Sequence, residues 1–311
     1  MGCGKMTGAA EELLLAVPNF SEGRDEGVLL ALRDAAGDGG ATVMDAAMDP
    51  DHNRAVVALF GPPGALVQSL LAMARVAVSR IDLRCHSGEH PRFGAMDVCP
   101  LVPLRGMPMA RAVELSRELG RALAEELALP VFLYEESAVS PGRRDLASVR
   151  RIGRAGLDHP LEKEAAPDFG PARFHPTAGA AAVGARGPLV AFNVNLAVPD
   201  LAAAKDIAAE LRRRRDLGEG FEGVKALGFL LASRSVAQVS TNVTRPDRCR
   251  PKQVFDFIES AARRRGVPVR ESELIGVASR RHLPEQEERA MRLVPPRPSQ
   301  ILETWLGPDV W

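Results

Sequence analysis

The sequence predicts an α+β protein made of two copies of one motif, on three observations. Apolar periodicity spells the order β-α-β-β-α-β twice, a polar, proline-containing stretch (Ser140 to Pro176) follows the first copy, and a glycine-rich run (Gly179 to Gly187) precedes the second. That order is the ferredoxin-like split βαβ motif, an antiparallel sheet with two helices on one face. Two such sheets each leave a bare face, so the expectation is two ferredoxin-like βαββαβ subdomains with facing sheets and a ligand crevice between them. Helices are expected on one face of each sheet only, and the division falls at residues 1–187 and 188–311.

The elements follow in order. Leu13 to Phe20 reads as a strand, Asp25 to Ala36 as a helix, and Ala41 to Ala46 and Arg54 to Phe60 as strands. Pro62 to Arg80 is a long helix with proline in its first turn, and Asp97 to Leu104 closes the first copy as a strand. A helix from Met109 to Leu127, apolar at spacings of three and four, and a buried strand from Val131 to Tyr134 extend it. The second copy runs through a strand at Leu189 to Leu196, a helix at Leu201 to Arg215, and strands at Val224 to Leu231 and Val236 to Val243. A helix at Lys252 to Arg265 and a strand at Val267 to Val277 complete it.

Composition narrows the function classes. The 311 residues are 46% hydrophobic and 26% charged, and 40 basic residues balance 40 acidic ones. No global field draws such a chain to nucleic acid or to an anionic membrane. No run approaches the roughly 18 apolar residues of a membrane span, and Leu13 to Val17, cut off by Pro18, is too short for a signal peptide core. Met6 stands where a myristoylation signal after Gly2 requires Ser or Thr. The four cysteines, Cys3, Cys85, Cys99 and Cys249, show neither CxxC pairing nor a disulfide ladder, which fits a reducing cytoplasm.

The chemistry concentrates between His86 and Pro100. His86, Glu89, His90, Arg92 and Asp97 fall within twelve positions, and Gly88, Pro91 and Gly94 forbid a regular helix through them. Groups that titrate near neutrality, held on a loop ahead of a strand, suit proton transfer. His86 to His90 matches the H-x-x-E-H pattern of zinc proteases, but Gly88 and Pro91 break the helix that pattern requires. Asp51 to Arg54 reads as a turn, or else aims Asn53 or Arg54 into the crevice at a carboxylate. Asn193 and Asn195 share one face of an apolar strand, and Gln238, Ser240 and Asn242 repeat the pattern on another, as a structural network or as the floor of a polar site. Pro167 to Ala180 reads as a connector whose two phenylalanines, Phe169 and Phe174, are suited to stacking on a flat ligand. Arg212 to Arg215 and Arg263 to Arg265 end predicted helices, where cations complement the dipole.

Assembled, these segments resemble the formiminotransferase family: Val17-Pro18-Asn19-Phe20-Ser21-Glu22-Gly23, Asn53-Arg54, Gly88 to Pro100, Ala166 to Pro171, Ala191 to Leu196 and Ala237 to Asn242. The resemblance spans nearly the whole chain in the family's order. It implies two ferredoxin-like subdomains, residues 1–187 and 188–311, with a folate tunnel between their sheets. It further implies transfer of a formimino group from N-formimino-L-glutamate to N5 of tetrahydrofolate in histidine degradation. His90 falls on the family's acid/base, with Asp97 as a second catalytic group that orients the imidazole or favours its charged form. Gly170, Pro171, Ala172, Arg173, Phe174, His175, Pro176, Thr177, Ala178 and Gly179 fall on its folate loop, where Arg173 and His175 depart from the family's pattern. Asn19, Arg54, Arg92, Asn193, Asn195, Gln238 and Asn242 are expected to bind substrate. Tetrahydrofolate is a co-substrate, no metal or covalent nucleophile is required, and Cys85 and Cys99 are expected to be packing residues. The expected partners are small molecules, not nucleic acid or membrane. A homodimer is compatible with the resemblance. With the sequence ending at Trp311, ammonia release is expected from a separate cyclodeaminase. N-formyl-L-glutamate as donor, or folate binding without turnover, stands as the alternative.

Overall fold

The computed structural model describes residues 12–89, 92–156 and 166–311, with the backbone alone for 152–156. The first half is built on one mixed sheet. A strand interrupted at Val17-Pro18, β1 (Leu14–Ala16) and β2 (Asn19–Phe20), lies between β4 (Arg54–Gly61) and β5 (Met96–Pro103), and β3 (Thr42–Asp49) pairs with the outer side of β4. These antiparallel strands and the helices α1 (Glu26–Asp38) and α2 (Pro63–Arg80) make the first βαββαβ unit. Asp25 caps α1 by accepting from the amides of Gly27 and Val28, and Pro63 opens α2 where the missing N–H costs nothing. The second unit is a four-stranded antiparallel sheet ordered β11 (Val269–Ile275), β8 (Val190–Leu196), β10 (Val236–Val243), β9 (Val224–Leu231), with α5 (Leu201–Asp216) and α6 (Pro251–Arg264) on one face. The expected pair of ferredoxin-like sheets is borne out.

Three features differ from the sequence expectation. The run Gly179 to Gly187 carries an interior strand, β7 (Ala181–Ala185), which pairs in parallel with β5 and with β6 (Val131–Leu133), and α3 (Met109–Leu127) links β5 to β6. All five β7 residues are buried, so alanine and glycine serve here as close-packing residues. The polar stretch after β6 holds a helix, α4 (Leu146–Gly156). Helices also occupy both faces of the first sheet: α1, α2 and α3 cover one, while Val149 of α4 packs on the other against Phe93, Phe132 and Ala182. The C-terminal segment returns to that second face too, where Leu302 of a short helix (Leu302–Leu306) and Val310 meet Leu15, Ala58 and Val102. Among the described residues, these two patches leave the part of the face between them to line a crevice.

Candidate active site

The uncovered part of the first sheet carries a buried charge cluster. Arg54, at the start of β4, donates through Nε to Asn19 Oδ1 at 2.9 Å and through Nη1 to Asp97 Oδ2 at 2.9 Å. Arg150 of α4 reaches the same oxygen through Nη2 at 2.5 Å. Asp97 is fully buried, so these charge-assisted bonds replace its hydration. Burial lowers the Arg54 pKa from its ordinary value, and Asp97 opposes that shift.

Asp97 reaches this face because of a β-bulge. Cys99 and Leu101 point to the helix side, and strict alternation would send Asp97 there with them. The register slips, however, with Asn19 opposite Val98 but Phe20 opposite Met96, so that Asp97 is the extra residue. Met96 joins the helix-side core with Phe20, and Asp97 turns to the opposite face beside Arg54.

The second sheet answers with a polar face. Alternation on β8 puts Phe192, Val194 and Leu196 against the helices and Asn193 and Asn195 on the other side. Gln238, directly opposite Asn195, is fully buried and donates through Nε2 to Asn195 Oδ1 and Glu273 Oε1, each at 2.9 Å. With its amide nitrogen so engaged, Gln238 presents Oε1 to His52 Nε2 at 3.0 Å, so the hydrogen sits on Nε2. The His52 ring also stands edge-on to Phe229, with centroids 4.9 Å apart. Arg234 completes the network, donating to Glu271 at 3.0 Å and to Glu273 at 3.1 Å.

The loop that the sequence marks as chemical is anchored around this network. Asn53, in a left-handed conformation (φ 48°), accepts from Gly23 N at 2.8 Å and donates to Ser87 O at 2.9 Å. Its carbonyl accepts from His86 Nε2 at 2.9 Å, and burial lowers the His86 pKa. The main-chain amide of Glu89 donates to Asp51 O at 3.1 Å, and Arg92 Nη2 donates to His86 O at 2.5 Å. His86 therefore braces the loop. His90, the expected acid/base, lies outside the described residues.

The expected folate loop is divided between two environments. At its start, Phe169 packs beside Gly120 on the helix side of the sheet, so the two phenylalanines do not form one stacking platform. Gly170 fits against Leu129 O, where a Cβ would come within 2.4 Å, and Ala172 and Arg173 are exposed. At its end, Phe174 meets Phe93 and Phe132 on the crevice face, and His175 to Gly179 closes a turn held by reciprocal backbone bonds. His175 Nδ1 accepts from Ala178 N at 3.1 Å. That turn crosses the segment following residue 90 so closely that a Cβ on Gly94 would stand 1.6 Å from Ala180 O.

Of the expected residues, the structure gathers Asn19, Arg54 and Asp97 in one cluster and Asn195 and Gln238 in the other, with Asn193 beside the second. Arg92 serves the loop brace, and Asn242 is exposed at the far end of β10. Arg150, Arg234, Glu271 and Glu273 escaped the sequence reading. The period-two placement of Glu271 and Glu273 on β11 is the signal that would have found the last two. Of the cysteines, Cys99 is buried, its thiol pushed up to about 12 by desolvation, whereas Cys85 is exposed and is no packing residue. The arginines closing α5 and α6 converge on Glu210, which pairs with Arg264 and Arg265. A cleft of about 360 Å³ there lies on the helix side, away from the crevice. Among the described residues, no helix is long and apolar enough to cross a membrane.

Residues 13–186 match the formiminotransferase domain, N-terminal subdomain, and residues 191–288 match the formiminotransferase domain. A glutamate formimidoyltransferase of Streptococcus pyogenes serotype M1 is 41% identical over 269 residues, covering 86% of this chain and 89% of the relative. One from Thermoplasma acidophilum is 38% identical over 278 residues, covering 88% and 89%. The formimidoyltransferase-cyclodeaminase of Rattus norvegicus is 38% identical over 271 residues, which are 86% of this chain and 50% of that protein. The chain belongs to the formiminotransferase family, the one its motifs resemble.

Proposed function

We propose that the protein is a glutamate formimidoyltransferase, which moves the formimino group of N-formimino-L-glutamate to N5 of tetrahydrofolate in histidine degradation. The observation that carries this reading is the 41% identity to an enzyme of that name over 89% of its length. Tetrahydrofolate is the co-substrate, held in the crevice between the sheets with the Phe174 to Gly179 end of the loop from Gly170 at its wall. Residues 1–187 and 188–311 are the two subdomains, and the enzyme works in the cytoplasm, in keeping with its cysteine usage.

In the reaction, N5 attacks the amidine carbon, a tetrahedral intermediate forms, and the bond to the glutamate nitrogen breaks as that nitrogen gains a proton. His90 takes the proton from N5 and delivers it to the leaving nitrogen, as an imidazole of near-neutral pKa can. Its support is the family motif together with the anchoring of Glu89 and Arg92 on either side of the histidine. Arg54 and Arg150 place two positive charges around the single carboxylate of Asp97, which suits a site that receives the donor's carboxylates. Asp97 holds both guanidiniums in place, and Asn19, bonded to Arg54, fixes their direction. The test is a spectrophotometric assay with tetrahydrofolate and N-formimino-L-glutamate. The expected result is enzyme-dependent 5-formiminotetrahydrofolate, and its absence at micromolar enzyme would overturn the proposal.

A further inference from the structure

The register of the second sheet aligns Glu273, Asn193, Ser240 and Leu227 in one row across the crevice floor. Asn193 is 6% exposed, and among the described residues its side-chain amide has no hydrogen-bond partner. Its donor and acceptor are therefore open to whatever occupies the crevice. Glu273, opposite Asn193, accepts from Gln238 and Arg234 and keeps 23% of its side chain exposed.

On the second sheet Arg234 and Arg270 offset Glu271 and Glu273. Asp49, at the end of β3 on the first sheet, stands opposite Arg54 and near Arg234. Arg54 and Arg150 in turn share Asp97. The crevice thus offers guanidiniums around Asp97 and carboxylates beside β11.

We propose that Glu273, with the Asn193 amide beside it, reads the amidinium of the donor and so sets the preference for a formimidoyl over a formyl group. This rests on the transferase reading above, whose donor carries two carboxylates, suited to Arg54 and Arg150, and a cationic amidinium, suited to Glu273. An amidinium offers three N–H donors and no acceptor. A formamide offers one N–H and an oxygen that a carboxylate repels. Asn193 presents either its oxygen or its nitrogen and tolerates both groups, whereas Glu273 only accepts, so the discrimination lies with Glu273.

The test compares the wild-type enzyme with Glu273→Gln, which keeps the shape and an acceptor for Gln238 while removing the charge. The readouts are kcat/KM for N-formimino-L-glutamate, the KM of tetrahydrofolate, and the inhibition constant of N-formyl-L-glutamate. Loss of one charge-assisted contact predicts a fall of roughly 10- to 100-fold in kcat/KM for the formimino donor. The KM of tetrahydrofolate and the inhibition by N-formyl-L-glutamate should move less than about threefold. Glu273→Asp, which keeps the charge, should recover part of the loss. An unchanged formimino donor, an equal weakening of tetrahydrofolate (pterin recognition), an equal weakening of the formyl compound, or no recovery in Glu273→Asp overturns the proposal. A wild-type enzyme that transfers nothing removes the transferase reading and this inference together, whereas failure of Glu273 alone leaves the transferase intact.

Discussion

Replacing Asp97 with Asn strips the charge from a fully buried carboxylate that accepts from Arg54 at 2.9 Å and from Arg150 at 2.5 Å. The amide keeps the shape, but the two guanidiniums, with 11% and 20% of their side chains exposed, lose their shared counter-charge. Breaking a buried pair on one side costs about 3–5 kcal/mol, and the acceptor oxygen that Asn retains puts this case at the low end, about 3 kcal/mol. For 311 residues with ordinary unfolding entropy per residue, that lowers Tm by about 5 °C. Differential scanning calorimetry at neutral pH reads it directly. Pairing Asp97→Asn with Arg150→Met removes one of the stranded charges, so the double variant should lose less than the sum of the singles, by about 1 kcal/mol. An Asp97→Asn protein melting within about 1 °C of wild type, or strictly additive losses, would refute the cluster as a coupled unit.

Four other outcomes are expected. His90→Ala should lower turnover by roughly 10²- to 10⁴-fold with folate affinity within a few fold, whereas His86→Ala should cost less than about tenfold; steady-state kinetics and calorimetric binding separate them. The reverse order would move the acid/base role to Asp97, His52 or His175. Gly94→Ala forces a Cβ to within 1.6 Å of Ala180 O and should cost about 3 kcal/mol or more in denaturant unfolding. Gly64→Ala in α2, with open space around its Cβ, should gain up to about 1 kcal/mol. Burial lowers the pKa of His86, His175 and His282, so the folded state resists protonation more than the unfolded chain does. Their contribution is present above the unfolded value, about 6.5, and fades as pH falls below it, so stability should decline on acidification through pH 6. Thermal melts of His86→Asn should decline less over the same range.

The duplicated motif was legible because each element carries its own periodicity. Met109–Leu127, Val224–Leu231 and Val236–Val243 begin and end where the apolar pattern places them. The motifs around residue 90 and on β8 and β10 likewise pointed to the family and to one polar face, since alternation alone sets which side of a strand a residue takes. What local pattern does not encode is how one strand meets its neighbour. Asp97 joins Arg54 only through the bulge opposite Asn19 and Phe20, a property of two strands together. Glu273 comes level with Asn193 only through the β11–β8 register, itself shifted by a bulge between Val269 and Glu271. The helix bearing Arg150 sits among prolines and glycines that read as a connector. Leu146 and Val149, three apart, are its visible trace, and they become a buried face only against Phe93 and Phe132. The sequence by itself determined the elements, the duplication and the reactive loop, because these depend on neighbours along the chain. The tertiary structure alone decided which charges share the crevice, because burial and pairing belong to segments distant in sequence.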